Sequence, residues 1–124
     1  MAFTPRTRHV VLVCGGSAFT GEDDVARVLQ VLDQQHQLRR IDTIVCGGER
    51  GADGVAASWA KANSVGVLSC DDPWAAALGV SGTERLRAML RVSKADTVVL
   101  FPGGGAARRM LELAREAQLV VELG

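Results

Sequence analysis

The sequence carries no excess of charge of either sign, since 14 lysine and arginine residues balance 14 aspartate and glutamate residues. This balance gives the chain no general attraction for nucleic acid or for an anionic membrane surface. No apolar run approaches the ~20 residues that a membrane-spanning helix needs. Residues 1–8 form a short polar lead-in that lacks the apolar core of a signal peptide. We therefore expect a cytoplasmic protein whose partner is neither a membrane nor a nucleic acid.

Cysteine and histidine are scarce. The three cysteines, Cys14, Cys46 and Cys70, have no CxxC spacing, which argues against a disulfide framework and against a zinc site. The two histidines, His9 and His36, lie away from the glycine-rich segments and form no Ser-His-Asp pattern. A GxxxxGK[ST] phosphate loop is also absent, which argues against an ordinary nucleoside triphosphatase. The sequence therefore predicts small buried thiols, no metal site and no bound cofactor.

Glycine, in contrast, is placed in a repeated pattern. Three apolar segments run into Gly15-Gly16, Gly47-Gly48 and Pro102-Gly103-Gly104-Gly105, and a helical pattern follows each of them. A strand, a glycine turn and a helix N-terminus together present backbone N–H groups to an anion, most often a phosphate. Ligands of open α/β sheets bind outside the carboxyl ends of the strands, near the point where strand order reverses. We expect the three turns to converge on one crevice there.

Strands and helices alternate along the whole chain. This predicts an α/β class, a Rossmann-like three-layer fold with a mostly parallel sheet of about five strands, in one domain over residues 1–124. Strands are predicted at about residues 9–14, 42–46, 66–70, 96–101 and 119–123, and helices at about 20–37, 53–63, 83–92 and 106–117. A short Ala-rich turn is predicted after Asp71-Asp72-Pro73-Trp74. Thr20 and Asp53 are predicted N-caps. Val28, Leu29 and Leu32 are predicted on the buried face of the first helix.

Several polar residues beside the glycine turns are candidate ligands. The Ser17 hydroxyl suits one of two roles: it donates to a phosphate or ribose, or it stabilises the turn. Arg50 stands beside Gly51, and its guanidinium suits a bidentate contact with a phosphate or a carboxylate. Asp53 suits a helix cap or a ribose contact, and Glu49 suits a solvated position or a catalytic one.

Five more candidates come later in the chain. Trp74 follows the third strand, where an aromatic ring stacks on a base or covers the core. Glu84 and Arg85 begin a helix that should pass close to the last glycine loop, so Arg85 is either a phosphate ligand or a surface charge. Arg108 and Arg109 lie directly beside that loop and suit a ligand with several phosphates.

These motifs together resemble the SLOG superfamily and, within it, the YspA-like branch, in which a GGxRGAD motif follows the second strand. The resemblance rests on Val13-Cys14-Gly15-Gly16-Ser17, on Gly47-Gly48-Glu49-Arg50-Gly51-Ala52-Asp53, on Arg85, and on Phe101-Pro102-Gly103-Gly104. It implies a Rossmann-like sheet, a pocket for a small nucleotide-like ligand, and a homodimer packed through helices near the site.

The superfamily includes the Lonely Guy phosphoribohydrolases, which cleave the N-glycosidic bond of nucleoside monophosphates with an arginine and a glutamate. The resemblance places that arginine at Arg85. The enzymes' last loop is PGGxGT with the catalytic glutamate soon after, whereas this chain has Gly105-Ala106-Ala107 and then Arg109-Met110 at those places. The threonine hydroxyl and the catalytic carboxylate are therefore missing.

The leading hypothesis is a binder of a nucleotide or related phosphorylated ligand. It uses the backbone of the three turns, with Arg50 and Arg85 on the phosphate and Trp74 near the base. The alternative is a phosphoribohydrolase-like N-glycosidase in which Glu49, Asp53 or Glu84 replaces the missing glutamate. A second alternative is a module that binds a protein or single-stranded nucleic acid, which the zero net charge and the scarcity of aromatic residues oppose.

Overall fold

The computed structural model describes residues 8–15, 21–47, 51–103 and 105–124. Within them, five strands form one parallel sheet in the order β3-β2-β1-β4-β5. The strands are β1 (Val10–Gly15), β2 (Thr43–Cys46), β3 (Gly66–Ser69), β4 (Thr97–Phe101) and β5 (Val120–Leu123). The chain first builds the sheet outward from β1 to β3 and then crosses to β4 on the other side of β1. Strand order therefore reverses between β1 and β4, at the centre of the sheet.

Helices cover both faces of this sheet, which confirms the predicted Rossmann-like three-layer fold. They are α1 (Glu22–Leu38), α2 (Ala52–Ala62), α3 (Asp72–Leu78), α4 (Gly82–Ser93) and α5 (Gly105–Glu116). Residues of α1 and α2 share one buried cluster with the sheet, and residues of α4 and α5 share the other. The nearly continuous apolar character of β1 and β4 follows from this covering of both faces.

The sequence predicted Asp53 as the N-cap of α2, and this prediction is wrong. That position belongs to Gly51, whose φ of 73° and ψ of −134° are backbone angles that glycine adopts far more easily than other residues. Asp53 lies in the first turn and is buried, and its Oδ2 accepts a hydrogen bond of 2.9 Å from the Gly47 N–H. The carboxylate therefore holds the glycine turn instead of capping the helix.

Three other expectations differ from the structure. Thr20 lies outside the described residues, and the N-cap position of α1 is Gly21. The predicted Ala-rich turn is the helix α3, because the Asp71 side chain accepts the Trp74 N–H and a proline stands in the first turn. Leu29 is 36% exposed. Each helical residue advances about 100°, so Leu29 lies on the side of Val28 away from the packed Val31.

The amino end of the sheet carries a buried polar network. His9 is 3% exposed, and its ring faces the Arg39 carbonyl at 3.0 Å and the Thr97 hydroxyl at 3.3 Å. Asp96 accepts hydrogen bonds from the Val10 N–H and from the Thr97 hydroxyl. These contacts fix the starts of β1 and β4. They leave His9 at the edge opposite the glycine turns, as its place in the sequence predicted.

All three cysteines are free and buried, as expected. In the described part of the chain, no helix combines the length and the apolar character that crossing a bilayer requires.

Candidate functional site

A cleft of about 550 Å³ opens at the carboxyl ends of β1 and β4, where strand order reverses. It lies between these strand ends and the first turns of α4 and α5. Its volume is within the ordinary range for small-molecule sites. The lining residues are Val13, Cys14, Gly15, Gly47, Asp53, Gly82, Thr83, Arg85, Leu86, Met89, Gly103, Gly105, Ala106 and Arg109.

Gly15 allows α5 to begin directly above the end of β1. Its φ is +93°, and a Cβ at this position would overlap the Phe101 carbonyl oxygen and lie 2.9 Å from the Ala107 Cβ. Real Cβ atoms do not tolerate such contacts, so this close packing needs glycine. It brings Gly103 and Gly105 to the cleft that Gly15 lines.

Arg85 joins the carboxyl ends of β2 and β3. Its Nη2 donates to the Cys70 carbonyl at 2.7 Å and, more weakly, to the Gly47 carbonyl at 3.4 Å. Its Nη1 donates to Asp72 Oδ1 at 2.9 Å, and the side chain is 21% exposed. Because Asp53 accepts the Gly47 N–H, both the N–H and the carbonyl of this glycine are hydrogen-bonded to side chains. Arg85 therefore helps to hold Gly47 as well as facing the cleft.

Arg109 lies across the cleft on α5. Its Nη1 donates to the Thr83 hydroxyl of α4 at 2.6 Å, which links the first turns of the two helices. The first turn of α5 contains no acidic residue, whereas α1 begins with three carboxylates. The α5 N-terminus therefore keeps its partial positive charge beside a guanidinium.

A second depression of about 650 Å³ adjoins the cleft. It is lined by Gly103, Gly105, Arg108, Arg109 and Glu112, and it shares Gly103, Gly105 and Arg109 with the first. Its side chains are charged, whereas Val13, Leu86 and Met89 give the first cleft an apolar wall.

The thiols near the site are held in the protonated form. Burial raises the pKa of Cys14 from 9.0 to about 12, and the nearby Asp53 carboxylate adds to the effect. Burial likewise raises the pKa of Cys70 to about 11, with a further contribution from Cys46 and an opposing one from Arg85. Neither cysteine is poised as a thiolate nucleophile at neutral pH.

We expect this burial to make the protein less stable in alkali. Above pH 9.0, the ordinary pKa of a free thiol, the unfolded chain loses thiol protons that folded Cys14 and Cys70 retain. The folded state then binds more protons, so the free energy of unfolding falls as pH rises through about 9 to 12. Urea unfolding between about pH 7 and pH 10 measures the fall. A Cys14→Ala/Cys70→Ala variant should show a shallower fall, and an unchanged slope would contradict the assignment.

The structure brings together part of the predicted site. Seven of the candidate residues line the cleft: Gly15, Gly47, Asp53, Arg85, Gly103, Gly105 and Arg109. Arg108 lines the adjoining depression. Gly51 precedes α2 and Pro102 is exposed at the end of β4. The remaining glycine-turn candidates lie outside the described residues: Gly16, Ser17, Gly48, Glu49, Arg50 and Gly104.

Two candidates are placed elsewhere. Trp74 is half-buried and packs against the cluster between the sheet and α4–α5, so it is not part of the cleft lining. This corresponds to the core-covering role considered for it. Its backbone N–H donates to the side chain of Asp71, the N-cap of α3. Glu84 is exposed and pairs with Arg87 on its own helix at 3.5 Å. It does not line the cleft either.

Sequence reasoning placed the start of α4 near the site through Arg85, but it missed that Thr83, Leu86 and Met89 also line the cleft. Leu86 and Met89 line the cleft, whereas a three-residue spacing of apolar side chains is by itself typical of the core-facing side of a helix. Nothing in the sequence pairs Thr83, near the start of α4, with Arg109, 26 residues later. The sequence did carry one signal for an anion site at this end of the cleft: the start of α5 has two arginines and no acidic residue.

Family comparison agrees with this geometry. The model of the YspA, cpYpsA-related SLOG family matches residues 9–77, more than half of the chain, so the protein belongs to this family. The matched segment contains Gly15, Gly47 and Asp53 and ends before α4 and α5. Membership suggests a nucleotide-related ligand. A comparison with curated proteins finds no match.

Proposed function

We propose that the cleft binds a nucleotide or a nucleotide-derived phosphorylated ligand. The observation that carries the proposal is the pairing of an apolar wall with a cationic end in one cleft at the reversal of strand order. Leu86 and Met89 offer a surface for a base, and Arg109 beside the α5 N-terminus offers charge and N–H donors for a phosphate.

The two arginines of the cleft have different parts in this proposal. Arg109 contacts the phosphate, because the neutral Thr83 hydroxyl accepts one of its guanidinium N–H groups and leaves the others for an anion. Arg85 keeps the Gly47 turn in shape through its backbone contacts, and the rest of its guanidinium faces the ligand. The base lies against α4 instead of Trp74.

The phosphoribohydrolase alternative depends on a carboxylate in the cleft. Among the described lining residues that carboxylate is Asp53, whose Oδ2 is engaged by the Gly47 N–H. An acid or nucleophile for glycosidic cleavage must reach the scissile bond, so the alternative requires Asp53 to release that contact. Release of free base from nucleoside monophosphates is the assay that would establish this activity.

A thermal-shift panel tests the binding proposal. The panel contains nucleoside mono-, di- and triphosphates, cyclic nucleotides, dinucleotides and ribose 5-phosphate. A ligand at 100 times its dissociation constant adds about 2.7 kcal/mol of stability, which raises the Tm of a domain of this size by about 10 °C. We expect one chemical class to produce such a shift.

Arg109→Gln should lower the affinity for that ligand about tenfold, as expected for the loss of one charge-assisted contact. Arg115→Gln is the matched control, since Arg115 is exposed in the last turn of the same helix. If no ligand raises the Tm at millimolar concentration, or if both variants weaken it equally, the proposed site is wrong.

A further inference from the structure

We infer that the ligand carries two or more linked phosphates, the second of which lies in the depression beside Arg108. The inference rests on the proposed function and narrows the ligand to nucleotides with a diphosphate unit. It starts from the continuity of the two depressions, which share Gly103, Gly105 and Arg109. A ligand that reaches Arg109 from the apolar wall therefore stands at the border of the second depression.

The chemistry of the second depression is that of an anion site and not of a base site. Its side chains are two guanidinium groups and one carboxylate, with no apolar side chain among the lining residues. Within the described residues, neither Arg108 nor Glu112 forms an ion pair. The Arg108 guanidinium is thus available to an anion, and the net positive charge favours one.

The positions of Arg109 and Arg108 indicate which phosphate each of them contacts. The Thr83 hydroxyl accepts the Arg109 Nη1–H and holds that guanidinium at the cleft mouth, where it lines both depressions. Arg108 lines only the second depression. A first phosphate at the border therefore meets Arg109, and a second phosphate, linked to it, reaches Arg108. A monophosphate leaves Arg108 without a ligand contact.

Calorimetric titration of AMP, ADP and ADP-ribose, with GMP and GDP in parallel, tests the inference. All titrations contain a chelator and have equal ionic strength, since free charges on the surface are screened by salt. We expect the diphosphate to bind about tenfold more tightly than the monophosphate of the same base, as one charge-assisted contact predicts. Arg108→Gln should remove most of this ratio and leave monophosphate affinity unchanged. Arg115→Gln should leave the ratio intact.

The outcomes separate this inference from the proposed function. Equal affinity for mono- and diphosphate overturns the inference and leaves the proposed function standing. An equal loss of the ratio in Arg115→Gln also overturns it, because general electrostatics then explains the preference. No binding of any nucleotide overturns the proposed function itself. Tighter binding of ADP than of ADP-ribose supports a free terminal phosphate, and the reverse supports an esterified diphosphate.

Discussion

Replacing Gly15 with alanine should destabilise the fold by about 2–5 kcal/mol, a large part of the 5–15 kcal/mol that typically separates folded from unfolded domains. Two costs add up at this residue. An alanine at φ of +93° is strained, which costs on the order of 1–2 kcal/mol. Its Cβ would also overlap the Phe101 carbonyl oxygen, a backbone atom that the β1–β4 ladder holds in place. Overpacking of this kind costs roughly 1–3 kcal/mol.

Gly105→Ala is the matched control for this prediction. A Cβ at Gly105 meets no atom within 4 Å, and the residue opens α5. Alanine is favoured over glycine in helices by up to about 1 kcal/mol, so this variant should be as stable as the wild type or more so. Thermal unfolding followed by circular dichroism compares the two. A Gly15→Ala variant that melts within about 3 °C of the wild type would contradict the packing described for this turn.

Gly15 also shows what the sequence could and could not predict. Its place between an apolar run and a helical pattern predicted a turn at the end of a buried strand, and the alternation of such units predicted the sheet. These are local patterns, with periods of 2 and 3.6 residues, that a single segment displays. The contact that makes glycine necessary joins β1 to β4 and α5, more than 80 residues away in the chain. No local pattern contains it.

The same distinction applies to the site. Gly15, Gly47 and Gly103 were predicted to converge, because parallel strands have their carboxyl ends at one edge. The contacts of Arg85, Trp74 and Asp53 were not predictable, since each depends on how helices approach that edge. Asp53 follows a glycine whose positive φ displaces the helix start by a residue or two, and its carboxylate then faces the turn instead of the helix end.

Replacing Arg85 with glutamine should destabilise the ligand-free protein by about 2 kcal/mol and abolish most ligand binding. The Cys70 carbonyl, on a fully buried residue, loses a donor at 2.7 Å, and the Gly47 carbonyl loses a weaker one. A buried acceptor left without a partner costs roughly 1–3 kcal/mol. The exposed pair with Asp72 contributes little, since surface ion pairs are typically worth about 0–1 kcal/mol.

Arg87→Gln is the control on the same helix. Arg87 is half exposed and pairs only at 3.5 Å with the exposed Glu84, so its loss should change stability by less than about 0.5 kcal/mol. Arg85→Lys keeps the charge but not the planar fork that spans two carbonyls, and it should be intermediate. Urea unfolding without ligand distinguishes the two roles considered for Arg85. If Arg85 acted only as a phosphate ligand, its replacement would leave the ligand-free protein as stable as the wild type. A loss of stability in the absence of ligand instead means that the arginine forms the glycine turn first, and that binding depends on it for that reason.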